Sequence, residues 1–252
     1  MRVPYLWLKE YLEELTLDPE EAGELLTRSG VEVDGVEDFN PGIKGIVAGL
    51  VIKREPHPSK DSLSVVEVDI GQEKTKTIIC GAPNVREGQC VFTALPGSVL
   101  PGNKQIDTVE FQGIISEGML CSAAEMGLEL VQGEDGILTM DDPVAPGTDL
   151  LEYLQINDKI ITLSLTPNRA DCLGLIGVAY ELAALTGEKV VKPPEIPEEV
   201  DIEVASLVSV DIKESNLCRR YTARVIRDID LKPAPLWMQI RLLKAGVRPI
   251  SI

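Results

Sequence analysis

Ile46-Val47-Ala48-Gly49-Leu50-Val51-Ile52 opens the stretch that decides the fold. Four more runs of the same character follow: Leu63–Ile70, Thr77–Cys80, Cys90–Leu95 and Ile106–Phe111. They close on Gly71, Gly81, Pro96-Gly97 and Gly113 respectively. β-Branched and aromatic residues suit a pleated, half-buried surface, and glycine or proline ends it where the backbone turns. Five short strands so punctuated predict a small barrel, the five-stranded OB-fold first, with an open β-sandwich as the alternative.

Working outward, Asp18-Pro19-Glu20-Glu21 sets an N-cap, a first-turn proline and a capping-box glutamate in order. The spacing predicts a helix through Ala22, Leu25 and Leu26 to Gly30, then a short strand at Val31–Val36. Beyond the barrel, Ile160–Leu165 reads as a buried strand. A helix follows from Leu173 to Gly187, apolar nearly all round and expected to be covered on most sides. Lys192-Pro193-Pro194-Glu195-Ile196-Pro197-Glu198-Glu199 reads as a linker. After it, Leu207–Val210 and Tyr221–Ile226 look like strands, and Pro235–Ala245 like a helix with Leu236, Ile240 and Leu243 on one face. The sequence stops at Ile252 within what reads as a strand, so the expectation is a fragment. The expected class is α+β and multidomain: residues 1–39 plus 151–195 as one discontinuous α/β domain, 40–150 as the inserted barrel, and 196–252 as linker and truncated start of a further α/β domain. An insertion of this kind needs only that the barrel's two ends lie close together.

The chain has 252 residues, 24 basic and 41 acidic, for a net charge of −17, and 44% of it is hydrophobic. That composition excludes a basic-tail protein and pure disorder. No apolar run approaches the roughly 20 residues that span a bilayer, and acid follows too early for a signal peptide. A soluble, cytoplasmic chain with no membrane partner is expected. The charge is uneven. Residues 1–39 carry −8, 114–168 carry −9 and 169–208 carry −5, whereas 40–113 are neutral and 209–252 carry +5. A polyanion should prefer the last two segments.

Cys80, Cys90, Cys121, Cys172 and Cys218 are odd in number and never closer than ten residues, which fits reduced thiols and argues against a zinc site. His57 is the only histidine, so a cysteine hydrolase would have to use it, and Cys121 with His57 is the pair considered. The glycines of Gln112–Ser122 lack the spacing of a phosphate-binding loop. His57-Pro58-Ser59-Lys60-Asp61-Ser62-Leu63 either presents donors at a barrel mouth or forms a tight inter-strand turn. Cys80-Gly81-Ala82-Pro83-Asn84-Val85 is a backbone-driven turn in which Gly81 can take positive φ. In Thr166–Asp171, Pro167 fixes a turn and Asp171 can cap the next helix, while Asn168 or Arg169 could instead sit at a subunit interface.

Three of these stretches, 57–63, 80–85 and 112–122, resemble in this order the tRNA-binding OB domain shared by several tRNA-associated proteins. With the opening MRVPYLWLKEYL, Thr166–Leu173 and Gly177–Gly187, the resemblance narrows to the β subunit of bacterial phenylalanyl-tRNA synthetases, and it spans the whole chain. Gln112 departs from it, standing where the family often has arginine. The resemblance implies an α2β2 ligase that charges tRNA(Phe) with phenylalanine using ATP and Mg2+, with the aminoacylation site on the α subunit. The β subunit would supply tRNA contacts, architecture and a site that hydrolyses tyrosine mischarged onto the tRNA. An apolar pocket rejects an added hydroxyl poorly, which is why such editing is needed. The resemblance places Arg248 at the edge of the editing pocket; on the residues alone, a surface cation near a helix C-terminus fits as well. No catalytic residue, metal or cofactor is expected within these residues, and no DNA partner is indicated. A free-standing OB-fold tRNA-binding protein is the alternative.

From the residues alone, the candidate tRNA contacts are Lys44, Lys53, Arg54, His57, Lys60, Arg86 and Lys104. Single-strand binders of the OB type stack bases on exposed aromatics. This segment offers only Phe92 and Phe111, both expected in the core because apolar residues alternate around them. Weak, salt-sensitive RNA binding follows, micromolar or looser.

Overall fold

A computed structural model describes residues 1–131, 133, 135–193 and 199–251. Its elements in order are β1 (Arg2–Pro4), α1 (Tyr5–Lys9), α2 (Pro19–Arg28), β2 (Glu32–Asp38), β3 (Lys44–Pro56), β4 (Ser64–Asp69), β5 (Lys76–Cys80) and β6 (Cys90–Leu100). They continue with β7 (Lys104–Gln105), β8 (Val109–Phe111), β9 (Ile114–Ser116), β10 (Met119–Leu120), β11 (Thr139–Met140), α3 (Leu150–Tyr153), β12 (Lys159–Ser164), α4 (Leu175–Thr186) and α5 (Leu236–Lys244).

The capping box forms as the spacing predicts. Glu21 N–H donates to Asp18 Oδ1 at 2.7 Å, and Asp18 N–H donates to Glu21 Oε2 at 2.9 Å. α2 packs Ala22 and Leu26 inward, then Gly30, at φ 92°, turns the chain into β2. β2 and β1 both pair antiparallel with β12, which returns more than 120 residues later. Val3, Leu8, Leu26, Ile161, Leu163, Val178 and Leu182 make the core beneath this sheet.

Between β2 and β12 the chain builds a curled antiparallel sheet of order β10-β6-β3-β4-β5, with β7 and β11 added on β6. Its two ends approach each other. Glu117 N–H donates to Thr77 O at 2.8 Å, and Ile79 N–H to Ser116 Oγ at 3.0 Å, joining the β9–β10 connection to β5. Gly118 permits the close pairing of β10 with β6, since a Cβ there would lie 2.4 Å from Ala94 O. Apolar side chains on both sides of the sheet are buried: Ile46, Ala48 and Phe92 in one cluster, Val66, Val68 and Ile78 in another.

Several expectations are corrected. Ile106–Phe111 is not one strand: β7 ends at Gln105, and Val109–Phe111 folds back on Ile114–Ser116 as a separate hairpin. Phe92 is buried at 0% exposure, but Phe111, on that hairpin, is 43% exposed. α4 is covered only through Val178, Ala179, Leu182 and Ala183, and Leu173, Ile176, Tyr180 and Leu185 stay open to solvent. Leu207–Val210 and Tyr221–Ile226 form no ladder, because no described strand lies alongside to pair their backbone groups, and Val208, Val210, Tyr221 and Ile226 are exposed. Of the linker expected at 192–199, residues 194–198 lie outside the described ones. The helix expected at Pro235–Ala245 is α5, and Ile240 joins the core of the curled sheet.

Candidate nucleic-acid interface

The candidate cations fall into two groups at opposite ends of β3. Lys44 begins the strand, and Lys104 lies two strands away, with Lys44 opposite Val99 and Lys104 opposite Leu100. Lys53 and Arg54 lie near its far end, roughly 30 Å of strand path away at ~3.3 Å per residue. Beside them run the 57–63 and 81–89 loops, carrying Lys60 and Arg86. The second loop is pinned to β3 by Gly88 N–H to Val51 O at 2.8 Å and by Arg54 N–H to Glu87 Oε1 at 3.0 Å. Lys53, Arg54, Lys60 and Arg86 are all exposed.

Not all of these cations are equally available. Lys53 pairs with Glu55 at 2.9 Å, and Arg54 Nε donates to Ser64 Oγ at 3.0 Å. His57 is 3% exposed, and its Nδ1 accepts Ser59 N–H at 3.2 Å, so it shapes the loop from inside. Acids intermingle here, Glu55, Asp61 and Glu87 among them, and the field is mixed rather than basic.

The loop motifs prove to be structural clasps. Asn84 is buried; its Nδ2 donates to Ile137 O at 2.8 Å and its Oδ1 accepts Ile137 N–H at 2.9 Å. This two-way bond pins the 135–138 segment beneath the sheet, and a Cβ on Gly136 would come 2.1 Å from Asn84 Oδ1. Gly81 does not take positive φ; it is tight instead, with a Cβ position 3.3 Å from a Leu63 methyl. In the third motif Ser116 donates to Gly118 O at 2.9 Å, and Glu117 pairs with Lys76 at 3.4 Å. Gln112 and Gly113, both at positive φ, make the hairpin turn that lifts Val109, Phe111 and Ile115 into solvent. Residue reasoning missed Phe111. The signal available was the Gln-Gly pair between apolar runs, the mark of a tight hairpin.

The family model described as "Putative tRNA binding domain" matches residues 46–149, the span of the curled sheet. A phenylalanine–tRNA ligase beta subunit from Moorella thermoacetica is 46% identical over 255 residues, covering 100% of this chain and 31% of that protein. Those from Halalkalibacterium halodurans and Bacillus subtilis are 44% and 43% identical over 255 and 253 residues, covering 100% and 99% of this chain and 32% of each relative. Along its whole length the chain is similar to phenylalanine–tRNA ligase beta subunits. It spans about a third of the length of these curated relatives.

Among the described residues, one compact set of metal-type ligands is present: Asp171, Cys172 and Glu181, with ligand atoms within 4.8 Å of one another. Arg169 already fills it, with Nη2 2.8 Å from both Asp171 Oδ2 and Glu181 Oε2. The hydrogen bond from that guanidinium, then the one from Cys172, holds the Asp171 carboxyl down to about 2. Burial, then Asp171, pushes the Cys172 thiol up to about 11. Asp171 therefore serves Arg169 and not the N-cap of α4, which is Gly174 with no side-chain cap. The helix still lies close to this turn, since a Cβ on Gly177 would sit 1.8 Å from Asp171 O.

Two further residues settle into plain positions. Arg248 is exposed, four residues past the end of α5. Cys121 is fully buried, and that burial pushes its thiol up to about 12; it points at Met119 O, 3.9 Å away. A thiol so held is protonated at neutral pH, which removes the cysteine-hydrolase reading.

Proposed function

We propose that this chain is the tRNA-binding and architectural part of a phenylalanine–tRNA ligase β subunit. It would contribute to ATP-dependent charging of tRNA(Phe) together with an α subunit in an α2β2 enzyme in the cytoplasm. The observation that carries this reading is 42–46% identity, along the whole chain, to proteins bearing that name. The tRNA-binding match over 46–149 supports it.

In this reading the curled sheet is a five-stranded OB barrel, closed where the Ser116–Gly118 turn meets β5. It is inserted in a discontinuous domain of residues 1–39 and 151–195, as the pairing of β1 and β2 with β12 favours. Residues 196–252 are the linker and the opening of an editing domain, with Arg248 at its pocket. The tRNA contacts are Lys53, Arg54, Lys60 and Arg86 around the 57–63 and 81–89 loops, supplemented by Lys44 and Lys104 at the other end of β3. His57 supports the first loop from within. ATP and Mg2+ belong to the complete enzyme and are held elsewhere in it.

Few unpaired cations and a mixed field mean a weak grip on phosphate. The purified 252-residue chain should bind tRNA in a filter assay at micromolar or weaker affinity, with binding lost steeply as salt rises. It should form no phenylalanyl-tRNA without the α subunit. Nanomolar, salt-insensitive binding would contradict the proposed interface, and charging by the chain alone would contradict the division of labour.

A further inference from the structure

Residues 114–168 hold ten acidic residues and a single basic one. That one, Lys159, is already paired with Asp38 at 3.2 Å and Glu20 at 3.4 Å. In this acidic stretch the chain leaves β11 through Asp141 and Asp142, both exposed and, among the described residues, without an ion pair or hydrogen bond. They line a cleft with Tyr153 from α3 and Trp237 from α5, over an apolar floor that includes Met140 and Leu154. Tyr153 is 51% exposed and Trp237 48%. The cleft between these walls is shallow, with a volume of about 30 Å3, enough for the tip of a side chain.

We propose that this cleft receives an arginine side chain from a basic segment of a partner protein. The chemistry of the walls selects that group. Carboxylates form charge-assisted hydrogen bonds with a guanidinium, aromatic faces attract the cation, and an apolar floor accepts the alkyl stem. Trp237 already does this once within the chain: the Arg241 guanidinium lies 5.6 Å from its ring and 5.0 Å from that of Trp7, while pairing with Glu10. Large half-exposed rings beside unpaired charge are also what a protein interface uses as an anchor point. RNA does not suit this cleft, because the surrounding −9 repels phosphate. The inference is independent of the tRNA-binding reading, which concerns the loops at the end of β3.

The test uses an acetylated tetra-arginine amide, titrated calorimetrically into the 252-residue protein, beside the tetra-citrulline peptide, which keeps the shape and loses the charge. Saturable binding of the arginine peptide is expected, with at least tenfold weaker binding of citrulline. Asp141→Asn with Asp142→Asn, and separately Tyr153→Ala, should each weaken the arginine peptide about tenfold while leaving the melting temperature near that of the parent. Glu13→Gln with Glu14→Gln removes two exposed acids elsewhere and should leave binding unchanged. No saturable binding, equal binding of citrulline, or equal loss in the two acid-to-amide pairs would each overturn the proposal, the last by showing attraction to net charge alone.

Discussion

Beside α5, Lys244 and Asp158 are buried to 1% and 0% side-chain exposure, whereas the β8–β9 hairpin leaves Val109, Phe111 and Ile115 between 43% and 55% exposed. Each arrangement inverts the usual preference, with charge inside in one place and apolar surface outside in the other. At the first, the cost of burial is met by partners. Lys244 Nζ donates to Asp158 Oδ2 at 2.8 Å and to Gln155 O at 3.1 Å, and Asp158 Oδ1 accepts Leu6 N–H at 3.0 Å and Lys159 N–H at 2.8 Å. One ion pair thus joins α1, the turn before β12, β12 itself and α5. The hairpin is anchored at its last residue, where Ser116 Oγ accepts Ile79 N–H at 3.0 Å, and the exposed apolar atoms of Val109, Phe111 and Ile115 contribute little to folding. The buried pair fixes the arrangement of segments; the hairpin is free to meet something else.

The comparison breaks most easily at Lys244. Lys244→Met strands the Asp158 carboxylate in the interior, and removing one partner of a buried pair typically costs about 3–5 kcal/mol. Urea unfolding of Lys244→Met should show a loss of that size, and Lys244→Met with Asp158→Leu should recover only part of it, because Leu6 N–H and Lys159 N–H then lose their acceptor. A loss below about 1 kcal/mol would mean that water reaches Asp158 and that α5 is not clasped here. Asn84→Ala comes next. It removes both bonds to the buried Ile137 backbone, and unsatisfied buried groups cost about 1–3 kcal/mol each. A stability loss of roughly 2 kcal/mol is expected, together with faster amide exchange at Ile137. Unchanged exchange there would show that the clamp is not what holds the 135–138 segment.

These two contacts also mark where the sequence was silent. The capping box of α2 is contained in four consecutive residues, and β3 through β6 announce themselves as apolar runs ended by glycine or proline, so both were legible. Asp158 and Lys244 stand 86 residues apart, and no local pattern couples them. Asn84 was visible as a turn residue, but its partner lies 53 residues on. The α4 pattern shows apolar residues all round, yet pattern alone cannot say which faces have neighbours, and Tyr180 and Leu185 have few. Leu207–Val210 and Tyr221–Ile226 teach the same point for strands: β-propensity describes a fit to a sheet, and a strand forms only where a partner edge is present. Of the candidate interface, the cations and their loops were legible as residue types. Their separation along β3 and the burial of His57 depended on the fold.

Phe111 gives the smallest effect on stability and the sharpest test of what the hairpin is for. Its ring is nearly half exposed, so Phe111→Ala should alter folding stability by no more than about 0.5 kcal/mol, as at other surface positions. Among the described aromatic residues of the 46–149 match it is the only exposed ring, Phe92 being buried, so any stacking of a base on an aromatic ring there must use it. Stacking on one aromatic side chain is worth about 1–3 kcal/mol, or roughly fivefold to a hundredfold in affinity. Phe111→Ala should therefore weaken tRNA binding by at least about fivefold, while Phe111→Tyr, which keeps a π-face, should not. The acidic neighbours Asp107 and Glu110 oppose binding through the backbone, so the loss should change little with salt, unlike the loss from Lys60→Ala. If Phe111→Ala binds tRNA as the parent does, the exposed hairpin has no part in RNA contact, and the cations around the 57–63 and 81–89 loops carry the interface alone.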